Sequence, residues 1–101
     1  MDLSGKDRRF LRSLGNALKP VVWVGREGLT PGILRSIDEA HSGSELIKIK
    51  ILEASAAERK SFVSELGEAT ASAVVGMVGG TILLYRPDPE SPRITLPSSR
   101  D

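Results

Sequence analysis

The sequence predicts an α/β fold: a single domain with elements in the order α-β-α-β-α-β-β around a four-stranded mixed sheet. Three observations predict it. Ile47, Ile49 and Ile51 alternate with Lys48 and Lys50, the period of a strand with one packed face. Ser4 with Asp7, and Thr30 with Pro31, are helix-start signals, each followed by apolar residues at helical spacing. Gly79-Gly80 sits between two apolar runs as a two-residue hairpin connection.

Each element follows in order. Ser4 caps a first helix, with Asp7 completing an acidic variant of the capping box; Phe10, Leu11 and Leu14 lie on one face. Gly15-Asn16 is its stop, which leaves Leu18 beyond the helix. Pro20 closes this segment, and Val21–Val24 reads as the first strand. The second helix starts at Thr30-Pro31, turns Ile33, Leu34, Ile37 and Ala40 inward, with His41 as a further candidate for that face, and ends at Ser42-Gly43-Ser44. Glu45–Leu52 is the clearest strand; it implies a sheet with one packed face and one wet, basic face near its centre. A third helix is expected from about Ser55 to Thr70, with Phe62, Val63, Leu66 and Ala69 inward. Ala73–Val78 and Thr81–Tyr85 form the hairpin. Two short crossovers favour parallel neighbours, and the hairpin adds one antiparallel pair. The tail carries Pro87, Pro89, Pro92 and Pro97; the last should end packed structure, giving a domain over 1–97 and a frayed tail over 98–101.

A length of 101 residues allows one domain with a modest core. The chain has no cysteine, so disulfides, a thiol nucleophile and cysteine metal sites are excluded, which suits a cytoplasmic setting. No apolar run approaches the roughly 20 residues of a membrane helix. Net charge is only +1, but it is unevenly spread. Residues 1–35 carry seven Lys/Arg against three acidic residues, and the remainder seven against ten, which suggests one positive face. A single histidine, His41, builds no multi-histidine metal site, and near a helix C-terminus it reads as a surface or boundary residue. No nucleophile–base pair stands at recognisable spacing. Neither catalysis nor a cofactor is expected.

The distinctive stretch is Gly25-Arg26-Glu27-Gly28, between a strand and a helix N-terminus. Glycines permit a tight turn and close approach of a ligand, and free helix amides favour anions. The loop lacks the Gly-Lys-Ser/Thr of a Walker loop and the third glycine of a dinucleotide fingerprint. A KH loop joins two helices, whereas this one joins a strand to a helix. Lys19, Arg26 and Arg35 bracket the turn, with Thr30 as helix cap, and Lys48 and Lys50 add cations on the sheet. Trp23 reads first as core; exposed beside the loop, it would be a stacking platform for a base.

The motifs Leu18-Lys19-Pro20-Val21-Val22, Gly25-x-x-Gly28-Leu29-Thr30, Glu45-Leu46-Ile47-Lys48-Ile49-Lys50, Leu84-Tyr85-Arg86-Pro87 and Ile94-Thr95-Leu96-Pro97 occur in order. As a set they resemble a stand-alone CRM domain of the bacterial YhbY-like type. That resemblance implies a fold similar to the C-terminal domain of translation initiation factor three. It also implies RNA binding and association with ribosomal RNA in large-subunit precursors. Gly25, Arg26, Glu27 and Gly28 would match the RNA-contacting loop, and Lys19 and Lys48 the basic positions. Glu27 departs by placing an acid in the loop. The expectation is a monomeric, non-catalytic RNA-binding domain. The alternative is a protein-interaction module using a sheet edge or an apolar helix face.

Overall fold

Four strands and three helices appear in the expected order: α1 (Gly5–Gly15), β1 (Val22–Val24), α2 (Pro31–Gly43), β2 (Leu46–Ile51), α3 (Ala56–Thr70), β3 (Ala73–Val78) and β4 (Thr81–Tyr85), then a 3₁₀ turn over Pro97–Arg100. The structure is a computed structural model that describes residues 3–52 and 56–100. Local chemistry sets the helix ends. The Ser4 hydroxyl accepts the Asp7 amide at 3.0 Å and the Asp7 carboxylate accepts the Ser4 amide at 3.4 Å, a reciprocal capping box. Thr30 Oγ1 accepts the Ile33 amide at 3.2 Å, with Pro31 at the first helical position. The expected start of α3 at Ser55 lies outside the described residues.

The strand order is β1-β2-β4-β3, with β1 parallel to β2 and the other two ladders antiparallel. The hairpin was expected to supply the one antiparallel pair. Instead β4 inserts between β2 and β3, making two. The reason is burial: Ile82, Leu83, Leu84 and Tyr85 are all buried, so both faces of β4 need cover, and a strand covered on both faces belongs inside a sheet. β1 and β3 form the edges.

Two cores result. On one face, α2 and α3 bring Ile37 and Leu66 onto Val22, Val24, Ile47, Ile49, Ile51, Ile82 and Leu84. On the other, Leu11 of α1 packs with Leu46, Val75, Leu83 and Tyr85, and Ile94 and Leu96 from the tail close over them. Ile47, Ile49 and Ile51 are buried, while Lys48 is half-buried and Lys50 exposed on the opposite side, as the alternation predicts. That second face is not uniformly wet, however, because α1 and the tail cover part of it. Arg8 fixes α1 there, its Nη1 donating to the Val74 carbonyl at 2.7 Å.

Two buried carboxylates hold the tail. Glu45 accepts the amides of Asp88, Arg93 and Ile94 at 2.7, 2.8 and 2.7 Å. Asp7 accepts the Ser98 amide at 3.0 Å. Packed structure therefore runs past Pro97 to at least Ser98, because a buried acceptor waits for it. His41 takes the inward of its two expected places, on the buried face of α2 and not at its boundary. It is buried, its Nδ1 donating to the Ser44 carbonyl at 3.1 Å, which leaves Nε2, 3.1 Å from Ser72 Oγ, as an acceptor. Burial is the main cause that lowers its pKa, so it fills the interior as a neutral ring.

Candidate nucleic-acid interface

β1 ends at Val24 and the chain turns at once. The Gly28 amide donates to the Gly25 carbonyl at 3.1 Å, which closes a turn over the exposed Arg26 and Glu27. Gly28 has φ +70°, a left-handed conformation that favours glycine. Gly25 is different: a Cβ built there would meet nothing within 4 Å, and its φ is not positive. The backbone favours glycine at position 28 and shows no such preference at 25.

The start of α2 offers less to an anion than its sequence suggests. Pro31 has no amide hydrogen, the Ile33 amide is taken by Thr30 Oγ1, and the Thr30 amide donates to the Gly28 carbonyl at 3.0 Å. Thr30 is thus a helix cap. The turn presents Arg26 and an accessible glycine backbone more than a bare helix terminus.

Beside this turn lies the uncovered part of the sheet. Cα pairing runs Trp23–Lys50–Thr81–Val78 across β1, β2, β4 and β3, so these four residues form one row on one face. Lys48 and Leu83 pair in the neighbouring row, where α1 lies close: a Cβ on Gly15 would come within 2.6 Å of a Leu83 methyl. The helix stops there, and the outer row stays open. Trp23 is 53% exposed and Val78 80% exposed. A cleft at the end of α1, lined by Arg12, Asn16, Lys48, Val78 and Thr81, leads onto it.

The sequence-predicted residues divide accordingly. Gly25, Arg26, Glu27, Gly28 and Thr30 form the turn, and Lys48 and Lys50 sit on the adjoining sheet face. Lys19 is exposed in the segment that leads into β1, at the strand end away from the turn. Arg35 stands on the solvent side of α2, one helical turn beyond the loop and in the other layer from Lys50. Trp23 is exposed and not core, and Arg12, which carries no site signal in the sequence, lines the adjoining cleft. Trp23 has the parity of Lys50 only once the β1–β2 register is known, and a run of four apolar residues hides that register. Tyr85 and Arg86 prove structural: Tyr85 is core, and Arg86 donates to the Thr70 carbonyl and pairs with Asp38 at 2.9 Å. Among the described residues, no group of three or more histidine or acidic side chains gathers to hold a metal ion, and no helix is long and apolar enough to cross a membrane.

Fold and surface together define, among the described residues, an α/β domain with an open sheet face beside a glycine turn. The chain belongs to the CRS1/YhbY (CRM) domain family, whose model matches residues 3–86. It is 38% identical over 95 residues to a Haemophilus influenzae protein named RNA-binding protein, covering 94% of this chain and 95% of that one. It is 35% identical to the Bacillus subtilis protein named Probable RNA-binding protein YqeI, covering 94% and 99%. Its fold matches the solution structure of the Staphylococcus aureus hypothetical protein SAV1595, described as a candidate RNA binder, with a TM-score of 0.82, 34% identity, and coverage of 95% and 100%.

Proposed function

We propose that this chain is a non-catalytic RNA-binding protein that works as a cytoplasmic monomer in assembly of the large ribosomal subunit. It would grip the RNA backbone with the Gly25–Gly28 turn and its neighbouring cations. The observation that carries the reading is Gly25 itself. Neither backbone conformation nor packing calls for glycine there, yet it stands exposed next to Arg26 at the end of β1. Gly5 and Gly43 are equally uncrowded; what sets Gly25 apart is its place beside Arg26 at the start of the turn, where a ligand's backbone can come close. The names of the relatives supply the ligand, RNA; the family resemblance supplies the ribosomal context. Contacts of Arg26, Lys48 and Lys50 with phosphates would position the protein without reading sequence. Thr30 contributes by fixing the start of α2, and Lys19 and Arg35 extend the positive potential to either side.

Two experiments test this. RNA crosslinked to the protein in cells should be dominated by large-subunit ribosomal RNA; recovery of only messenger or random RNA would sink the assembly role. In vitro, affinity for large-subunit RNA should fall steeply with salt, as counterion release demands. Affinity that ignores salt would point instead to an apolar interface.

A further inference from the structure

Trp23 is the chain's single tryptophan, and it stands exposed on the sheet row that α1 leaves open. Lys50 is directly across from it on β2, with Thr81 next in the row. Lys48 and Arg12 line the cleft alongside. The Gly25 turn begins two residues further along the chain, just past the end of β1. A large ring fixed on a strand, bordered by cations and half open to water, has a definite complement. It fits a flat apolar face attached to an anionic chain. An unpaired nucleobase has that chemistry; a base inside a duplex does not, since its faces are already stacked. A second copy of this chain fits poorly. A self-complementary contact on this face would bring Lys50 towards its own equivalent.

We infer that Trp23 stacks an unpaired RNA base, with Lys50 beside it on the phosphate backbone. The inference rests on the RNA-binding reading above and adds what the RNA must present: a single-stranded segment with an accessible base. The double-stranded parts of a ribosomal RNA would then meet only the cations.

Tryptophan emission from the full chain reads this one residue. The probe is a short, end-labelled single-stranded RNA, and the same strand annealed to its complement. The single strand should quench the emission in step with the rise in label anisotropy, and the duplex should not. Trp23→Leu should weaken single-strand binding about 5- to 150-fold, the range measured for one base–aromatic stack, and leave duplex binding unchanged. Trp23→Phe should keep most of the affinity. Circular dichroism confirms that each variant is folded, as expected for an exposed side chain. Binding without quenching, or a Leu variant that binds the single strand as the parent does, would overturn the inference. So would a blue shift of the emission with protein concentration alone, which would mean that a second copy covers the ring. If large-subunit RNA binds with a steep salt dependence while the single strand does not bind, the stacking role fails and the RNA-binding reading stands. If neither RNA binds, both fail.

Discussion

The Ser98 hydroxyl donates to the Asp7 carboxylate at 2.6 Å, joining residues 91 positions apart. The same carboxylate caps α1, so the first helix and the last turn share one acceptor. Glu45 does the equivalent at the start of β2, gathering three tail amides while only 3% exposed. The two acids turn an irregular, proline-rich tail into a lid over Leu46 and Tyr85. Glu45→Ala should therefore cost on the order of 3 kcal/mol, because it strands buried donors as well as removing their bonds. Glu45→Gln should fall between alanine and the parent. Its carbonyl can serve Arg93 and Ile94, but its amide nitrogen then faces the Asp88 N–H. Urea unfolding measures the series, and an unchanged midpoint for Glu45→Ala would show that the tail adds nothing.

The pH dependence of stability follows from the same groups. Burial raises the Glu45 pKa, but the amides of Asp88, Ile94 and Arg93 and the Arg93 charge outweigh it, for a net lowering. The Ser98 hydroxyl leads in lowering that of Asp7, against burial. His41 is lowered chiefly by burial. For all three, the folded state binds fewer protons than the unfolded state just below the ordinary pKa. Their contributions are complete above the unfolded values and are lost as pH falls through the folded ones. We expect a plateau above about pH 6.5, a first decline below it from His41, and a second below about pH 4.5 from Glu45 and then Asp7. His41→Gln should remove the first decline and spare the second. Denaturant midpoints measured across this range decide it; a stability maximum near pH 5 in the parent would contradict the assignment.

Signals that act over three or four residues were legible in the sequence: the caps at Ser4 and Thr30, the stop at Gly15-Asn16, the Gly79-Gly80 turn, and the facing of Lys48 and Lys50. Each is a local backbone or period effect that any tertiary context preserves. The position of β4 was not legible, because pairing depends on which strand needs burial on both faces. Nor was the tail's docking, since Asp7 and Glu45 accept bonds from donors tens of residues away and the tail has no periodicity. In the site, the glycine turn stood out. The open row was hidden because it depends on where α1 ends above the sheet.

The β2 alternation carries a direct energetic test. Ile49 is 0% exposed beneath α2 and α3, whereas Lys50 lies on the open row. Ile49→Ala should cost about 2–5 kcal/mol, a lost transfer term plus a cavity. Lys50→Ala should change stability by less than about 0.5 kcal/mol while weakening RNA binding. Equal losses in urea unfolding would contradict this partition of the strand.

The two glycines of the turn should respond oppositely. Gly28 holds φ +70°, so Gly28→Ala forces an L side chain into a left-handed conformation and should cost about 1–2 kcal/mol of stability. Gly25 has neither that φ nor a neighbour within 4 Å of an added Cβ, so Gly25→Asp should fold as the parent does. If RNA approaches this backbone, the new carboxylate meets a phosphate at close range, and binding should fall sharply in a fully folded protein. Arg26→Ala should weaken binding and flatten the slope of log affinity against log salt by about 0.7–0.9, the loss of one phosphate contact. Glu27→Lys should tighten binding and steepen the slope if Glu27 faces the RNA, with Glu27→Ala milder in the same direction. The measurement is a salt series on large-subunit RNA, with circular dichroism on each variant. If Gly25→Asp and Arg26→Ala are folded and bind like the parent at every salt concentration, the turn is only a turn. RNA contact would then have to rest on the Trp23–Lys50 row alone, whose fluorescence test is independent of the loop.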